Sequence, residues 1–170
     1  MDVVLFRHAK KGMLPFEDPG LTPEGMMQSE RLPDIVQKYN LPAAKALWAS
    51  EKIRTHQTFQ GLASTLNLTT ETKAELNLRS EVETQKMFQK RVEILIDELS
   101  VSACNELAKN CIYLCTHYDW IEEAMALIPS DKNLLSFEFN TWAPAQFVHF
   151  KITQDPINTV WKFVKKGLCP

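Results

Sequence analysis

Two arginines and two histidines lie at or just after the ends of three short apolar segments. Guanidinium groups bind phosphate oxygens in a bidentate way and stay charged at any working pH, and an imidazole can act as a nucleophile. These residue types therefore predict a site for a phosphoryl group, provided that the fold brings them together. The four residues are Arg7, His8, Arg54 and His117.

His8 is the candidate nucleophile of this group. Attack by its ring nitrogen would split hydrolysis into a phosphoryl-enzyme step and a water step. The other side chains would surround the transferred group and its spread negative charge, and we expect all four to be permanently or readily cationic. No metal or other cofactor is required, because side chains supply the charge. The alternative is a strand-end histidine with a structural role, since an Arg-His pair alone is a weak signal.

The three apolar segments, residues 3–6, 45–49 and 111–115, are predicted to be buried strands. Segments with helical spacing of apolar residues follow each of them. This order predicts an α/β fold of three layers (α/β/α), in which a mostly parallel central sheet lies between helices. Parallel strands bring their carboxyl ends to one edge of the sheet, where α/β proteins bind ligands. The four side chains are therefore expected to converge.

Several residues mark where the helices begin and end. Thr22 suits the N-cap of the first helix, and Ser50 is a plausible N-cap of the second. The third helix is expected from about residue 83, capped by Thr84 or by Ser80 together with Glu83. Pro33 should kink the first helix or split it in two.

The remaining segments give weaker signals. Residues 134–139 are a possible strand, and residues 146–153 and 158–164 are predicted to be two more strands joined by a turn at Asp155-Pro156. The loop at residues 9–21 is too rich in glycine and proline to be helical. Three apolar residues of this loop either line the site or, as we favour, pack on the domain surface: Met13, Leu14 and Phe16.

Composition limits the class of protein. The 170 residues suit one domain spanning residues 1–170. A net charge of −2 predicts no nucleic-acid or anionic membrane partner, and no apolar run approaches the roughly 20 residues that cross a bilayer.

The cellular compartment is predicted from the N-terminal residues and the cysteines. We expect no secretory leader, and the chain has no Cys-x-x-Cys pair, so we expect a reduced, cytoplasmic protein. Oligomeric state is not predicted. The cysteines are Cys104, Cys111, Cys115 and Cys169.

Four motifs in order along the chain resemble those of the histidine phosphatase superfamily, which has the phosphoglycerate mutase-like fold. In length the chain is similar to its compact bacterial phosphohistidine phosphatases. The motifs are Leu5-Phe6-Arg7-His8-Ala9, Asp18-x-x-Leu21-Thr22-Pro23-x-Gly25, Ser50-x-x-x-Arg54-x-x-Gln57-Thr58, and Thr116-His117 after the third strand.

The resemblance implies a role for each candidate. His8 would be the phosphorylated histidine, Arg7 and Arg54 would bind the phosphate, and His117 would stabilise the transferring group. The sequence departs from the family pattern in three places. Ala9 replaces a common glycine, Thr116 replaces a usual serine or glycine, and the acid expected after the third strand has no clear counterpart.

A proton donor would be needed for an alcohol leaving group. Three carboxyl groups are candidates: Glu75, Glu81 and Asp119. Two of them have a structural alternative. Glu81 could interact with a helix dipole, and Asp119 could be an N-cap. A phosphohistidine substrate, with its good leaving group, would not need the donor.

The leading hypothesis is a metal-independent phosphatase acting on a phosphorylated small molecule or a phosphoprotein, as a phosphomonoester or a phosphohistidine. The alternatives are a phosphoglycerate-mutase-like phosphotransferase and a non-catalytic phosphate-binding module. No metal-ligand motif and no cysteine-phosphatase spacing occurs. Structural or solvated roles are expected for His56, His149 and Lys10, and core or rim positions for Trp48, Trp120, Trp142 and Trp161.

Overall fold

The computed structural model describes residues 1–103, 110–154 and 158–170. In these ranges one sheet of six strands has the order β3-β2-β4-β1-β5-β6. The strands are β1 (Asp2–Arg7), β2 (Ala46–Ala49), β3 (Thr70–Thr72), β4 (Cys111–Thr116), β5 (Gln146–Gln154) and β6 (Thr159–Leu168). The helices are α1 (Pro23–Lys38), α2 (Ile53–Leu66), α3 (Gln85–Ser102) and α4 (Tyr118–Leu127).

The sheet is mostly parallel, as predicted. Strand β4 pairs in parallel with β1 on one side and with β2 on the other, and β2 pairs in parallel with β3. Strands β5 and β6 extend the sheet in antiparallel fashion from β1. The central strands are apolar because helices cover both faces.

Two apolar clusters, one on each face, confirm the three-layer arrangement. One cluster packs α3 and α4 against the sheet, with Leu95 and Trp120 among its members. The other packs α1 and α2 against the opposite face and includes Leu32 and Phe59. Alternate residues of β1 contribute to opposite clusters, since successive side chains of a strand point to opposite faces.

Helix α1 is continuous, so the expected split at Pro33 is wrong. Proline removes the hydrogen bond to the carbonyl four residues earlier, which is that of Ser29. That carbonyl lies against Gly61 of α2, where an added Cβ would come within 2.5 Å of the oxygen. Close packing of the two helices therefore accommodates the interruption.

The caps of the helices agree with the sequence signals in two of three cases. The Thr22 hydroxyl accepts a hydrogen bond from Gly25 N at the start of α1, and the Thr84 hydroxyl accepts one from Met87 N at the start of α3. The prediction for Ser50 is wrong. The N-cap of α2 is Lys52, and the buried Ser50 hydroxyl lies 2.8 Å from His117 Nε2 instead.

The expected strand at residues 134–139 is also wrong, because that stretch is turn and a short 3₁₀-helix (Phe137–Phe139). The turn predicted at Asp155-Pro156 and Cys104 lie outside the described residues. The other cysteines, Cys111, Cys115 and Cys169, are buried and free. Met13, Leu14 and Phe16 do not pack on the domain: each is more than 80% exposed.

Candidate active site

The site lies where β1, β4 and β2 end. Arg7 pairs with Thr116 in the parallel register, and Ala49 pairs with Cys115. The residues that follow these strands are therefore neighbours at one sheet edge. The ring centroids of His8 and His117 are 5.3 Å apart, so the convergence predicted from the sequence occurs.

His8 is 4% exposed and is held through one ring nitrogen. Its Nδ1 lies 2.7 Å from the Ala9 carbonyl oxygen. A carbonyl only accepts, so Nδ1 carries the proton and Nε2 keeps its lone pair. The backbone that follows His8 is held by α2. Ala9 N donates a hydrogen bond to the Thr58 hydroxyl at 2.9 Å, and that hydroxyl donates to the Arg54 carbonyl at 2.7 Å. This leaves Nε2 with a free lone pair and a fixed orientation.

His117 is 3% exposed and contacts a side chain through each ring nitrogen. Its Nδ1 lies 3.1 Å from Arg54 Nη2, and its Nε2 lies 2.8 Å from Ser50 Oγ. Arg54, on the first turn of α2, is also held by Asp18, whose Oδ1 is 3.4 Å from Nη1. The second oxygen of Asp18 accepts from Ile53 N. The Arg54 guanidinium is thus fixed at both ends.

Arg7 reaches the same region from the end of β1. Its Nη1 donates to the Trp142 carbonyl, and its guanidinium carbon lies 5.3 Å from the centre of the Tyr118 ring. The Nε atoms of Arg7 and Arg54 are buried and have no hydrogen-bond partner within the described chain. A buried donor without a partner costs free energy, and an anion is the ligand that would satisfy two guanidinium groups.

Both histidines are neutral at neutral pH. Burial and the nearby arginines lower the pKa of His8 to about 4, although its hydrogen bond to Ala9 opposes the shift. Burial, then Arg54 and His8, lowers the pKa of His117 to about 2. The expectation of four cationic side chains is therefore wrong: burial first, and then the positive charge of Arg54 beside both rings, suppresses protonation of the two imidazoles.

A cleft of about 390 Å³ opens above Arg54. Residues of three loops line it, and its charges are of both signs: Lys11, Phe16, Glu17, Pro19, Glu51, Lys52, Asn77, Leu78, Arg79, Ser80 and Glu81.

The candidate proton donors have different surroundings. Glu81 lies in the cleft lining. Glu75 instead lines a separate groove with Met87 and Ile94. The Asp119 carboxylate accepts a hydrogen bond from Arg79 N at 2.7 Å and raises the pKa of Arg54 by its charge, against the larger lowering effect of burial. Of the three, Glu81 is the one whose position faces the cleft.

The remaining histidines lie elsewhere and have structural partners. His149 Nε2 is 2.8 Å from the Asp2 carboxylate, and His56 Nε2 is 3.3 Å from the Thr72 hydroxyl. Within the described residues, no group of three or more His, Cys, Asp or Glu side chains could hold a metal ion. Trp120, Trp142 and Trp161 are buried and Trp48 packs at the edge of the core, as predicted.

Comparison with known proteins confirms the resemblance carried by the motifs. Residues 3–80 match the family described as "Histidine phosphatase superfamily (branch 1)". The protein histidine phosphatase SixA, solved with tungstate, superposes with a TM-score of 0.71 at 16% identity, over 98% of this chain and 96% of that one. This chain has the histidine phosphatase fold.

Two further structures show how widely this histidine phosphatase fold is used. The ecdysone phosphate phosphatase of Bombix mori gives a TM-score of 0.71 at 14% identity, covering 99% of this chain and 93% of that one. The mycobacterial glucosyl-3-phosphoglycerate phosphatase gives 0.67 at 14%, covering 95% and 96%. No curated protein sequence matches this chain. Among the described helices of the fold, none has the length and apolarity to cross a membrane.

Sequence reasoning missed three contributors to the candidate active site. Ser50 was assigned to a helix cap, although its place after a predicted strand and near Arg54 could have drawn attention to it. Asp18 belongs to a family motif, but no spacing rule predicts that it contacts Arg54. The Trp142 carbonyl is a backbone group in a segment expected to follow a strand, and the sequence contains no signal for its contact with Arg7.

Proposed function

We propose that this protein is a metal-independent phosphatase that works through a phosphohistidine on Nε2 of His8. Its substrate is a phosphomonoester or a phosphohistidine, carried by a small molecule or by a protein. The family match and the structural neighbours, which are phosphatases, support phosphatase activity in general. The nucleophile and the substrate class are the parts that we add.

In the first step the Nε2 lone pair of His8 attacks phosphorus while the bond from phosphorus to the leaving group breaks. The leaving group departs with its electron pair and takes a proton when it is an alkoxide, for which Glu81 is placed in the cleft. In the second step water attacks phosphorus, the bond from nitrogen to phosphorus breaks, and inorganic phosphate leaves. The water gives up one proton to the Glu81 carboxylate or to solvent, and the electron pair of the broken bond returns to Nε2, so that His8 is neutral again.

Charge stabilisation comes from the arginines in both steps. Arg7 and Arg54 would bind the equatorial oxygens, where negative charge is greatest in the transition state. Because they stay charged at working pH, this mechanism requires no metal ion. His117, neutral and in contact with Arg54, helps to hold that guanidinium in place.

One observation carries the proposal. A histidine with a fixed, unprotonated Nε2 lies beside two arginines, each with a buried N–H that has no partner among the described residues. A nucleophile and unsatisfied anion-binding groups in one place fit phosphoryl transfer to nitrogen better than phosphate binding without catalysis, which would need only the arginines.

The test is turnover of a generic aryl phosphate combined with trapping of the enzyme intermediate. We expect hydrolysis that survives a chelator, a phosphoryl-enzyme bond that is labile to acid and stable to alkali, and loss of both in His8→Ala. His149→Ala, which removes a histidine paired with Asp2 on the sheet, is the matched control and should retain activity.

Other outcomes would replace the proposal. Phosphoryl transfer that occurs only with an added phosphorylated acceptor would indicate a mutase. Phosphate binding without any turnover or phosphoenzyme would indicate a binding module. Normal turnover in His8→Ala would remove the nucleophile from the scheme.

A further inference from the structure

Ser50 is a fully buried serine between the end of β2 and the start of α2. Its hydroxyl lies 2.8 Å from His117 Nε2 and 3.0 Å from the Thr55 hydroxyl, and it accepts a hydrogen bond from Lys52 N at 3.2 Å. A serine that served only to cap a helix would bond to the backbone alone. This one also contacts a histidine of the candidate active site.

The partner of the other ring nitrogen decides where the proton of His117 resides. Arg54 Nη2 lies 3.1 Å from Nδ1, and a guanidinium group donates hydrogen bonds but cannot accept them. Nδ1 must therefore present its lone pair. The neutral ring then carries its one proton on Nε2, which donates it to Ser50 Oγ.

The hydroxyl groups beyond Ser50 agree with this assignment. Ser50 Oγ accepts from His117 and from Lys52 N, so its own hydrogen is free to go to the Thr55 hydroxyl. The Thr55 hydroxyl in turn donates to the Lys52 carbonyl at 2.7 Å or to the Ser50 carbonyl at 3.1 Å. Each donor in this series of hydrogen bonds has an acceptor. The series ends at a backbone carbonyl, which can only accept, so the direction of the hydrogen bonds is fixed.

We propose that Ser50 is a positioning residue that fixes His117 in the Nε2–H tautomer, so that Nδ1 holds the Arg54 guanidinium against the phosphoryl site. His8 and His117 then have opposite tautomers, because Nδ1 of His8 donates to the Ala9 carbonyl. Ser50 acts on the reaction through His117 and Arg54 and does not touch the substrate. The expected effect of Ser50 on turnover rests on the proposed function, whereas the assignment of the two tautomers does not depend on it.

Loss of the Ser50 hydroxyl would leave the buried Nε2–H without its acceptor, which is unfavourable. The proton could then move to Nδ1, where it would face the N–H groups of Arg54. That contact is repulsive, so the guanidinium would lose its fixed position. The expected consequence is a slower chemical step rather than weaker binding of every substrate.

The direct test is nuclear magnetic resonance of the intact protein with isotope-labelled histidine side chains. Long-range nitrogen–proton correlations distinguish the two tautomers of each ring. In the wild type we expect His117 protonated on Nε2 and His8 protonated on Nδ1. In Ser50→Ala we expect a population of His117 with the proton on Nδ1. A wild-type His117 protonated on Nδ1, or an unchanged pattern in Ser50→Ala, overturns the proposal.

Two further variants separate positioning from stability. Thr55→Ser keeps the hydroxyl chain and should keep the tautomer of His117. Ser29→Ala removes another buried serine hydroxyl, which donates to the Gln57 carbonyl at 2.6 Å between α1 and α2. It should lower stability and leave both tautomers unchanged. If Ser50→Ala does not fold, the wild-type spectrum alone decides the tautomer assignment.

Kinetics supply the second readout. The loss of one buried hydrogen bond predicts that Ser50→Ala lowers kcat by about 3- to 10-fold with little change in KM, while Ser29→Ala keeps kcat. Equal kcat in Ser50→Ala and wild type contradicts the positioning role. Absence of turnover in the wild type would instead count against the proposed function, and the tautomer measurement would still stand.

Discussion

The candidate active site has a buried floor, of which Arg54 lines the cleft, and a rim along that cleft, and the two differ in exposure and in bonding. The floor consists of His8, Ser50, Arg54 and His117, none of which is more than 4% exposed. The rim consists of residues of three loops, and its exposed members include Lys11, Phe16, Arg79 and Glu81. Floor residues bond to each other and to the backbone beside them, whereas Phe16 is 87% exposed.

This difference implies that the floor determines the rate of the chemical step and that the rim determines which substrate is preferred. A buried floor with fixed tautomers and fixed guanidinium groups can stabilise one transition state with little reorganisation. An exposed rim of mixed charge contributes contacts that depend on the substrate's leaving group. We therefore expect substitutions in the floor to lower turnover of every substrate, and substitutions in the rim to change the ranking of substrates.

The largest effect that tests this comparison is expected from Arg54→Ala. Removing one preorganised donor to a developing oxyanion costs about 10²- to 10³-fold in kcat, and this variant also removes the partner of His117 Nδ1. Steady-state kinetics on an aryl phosphate and on an alkyl phosphate should show similar losses for both substrates.

Lys52→Ala is the matched control, because it removes a cation from the same cleft at the rim. The hydrogen bond from the backbone N–H of residue 52 to the Ser50 hydroxyl remains in this variant. We expect a change of only a few-fold, since exposed charges are screened by solvent. Equal losses in Arg54→Ala and Lys52→Ala would remove the distinction between floor and rim.

The second effect concerns the proton donor, which belongs to the rim. Glu81→Gln should lower hydrolysis of an alkyl phosphate by about 10²-fold, at the low end of the range for general acid catalysis, and spare an aryl phosphate, whose leaving group needs no proton. Glu75→Gln should affect neither, because Glu75 lines a different groove. A loss in Asp119→Asn but not in Glu81→Gln would transfer the role to Asp119.

Three of the four floor residues, all but Ser50, could be predicted from the sequence, and the reason is periodic structure. Apolar runs of strand length ended at Arg7-His8 and before His117, and the parallel register then placed these residues together. The backbone register alone therefore places these residues next to one another, without any information on side-chain contacts. The same logic identified Arg54, because it lies one turn into the helix that follows β2.

The individual contacts of the rim, and the residues that hold the floor side chains in place, could not be predicted, because no periodicity governs them. Asp18 reaches Arg54 from a loop 36 positions earlier, and only tertiary structure relates the two. Protonation was also mispredicted: counting charges suggested cationic histidines, whereas burial beside Arg54 makes them neutral. The strand expected at residues 134–139 failed because apolar residues in a short run do not distinguish strand from turn.

The third prediction uses pH to test the buried state of the floor. The folded protein keeps His8 neutral down to a pKa of about 4 and His117 down to a pKa of about 2, whereas the unfolded chain takes up protons near pH 6.5. Their contribution to stability is therefore complete above pH 6.5 and is lost as pH falls. Each contributes up to about 1.4 kcal/mol per pH unit in that window.

Denaturant unfolding at several values between pH 7 and pH 4.5 checks this prediction. His117→Asn should flatten the dependence of the unfolding free energy on pH by about one proton. His56→Asn, outside the cleft on α2, reports the effect of a histidine replacement as such. An unchanged slope in His117→Asn would mean that this ring is not buried in its neutral form.

The smallest effect is expected at the tip of the rim. Phe16 is exposed and lines the cleft, so it can contact only the part of a substrate that projects beyond the phosphoryl group. Phe16→Ala should leave kcat for a small alkyl phosphate unchanged and raise KM a few-fold for an aryl phosphate, because an aromatic contact contributes about 1 kcal/mol. Leu14→Ala, equally exposed in the same loop but outside the cleft lining, is the control. A fall in kcat for both substrates in Phe16→Ala would mean that this loop also positions the floor, and that chemistry and substrate choice are not separated in this protein.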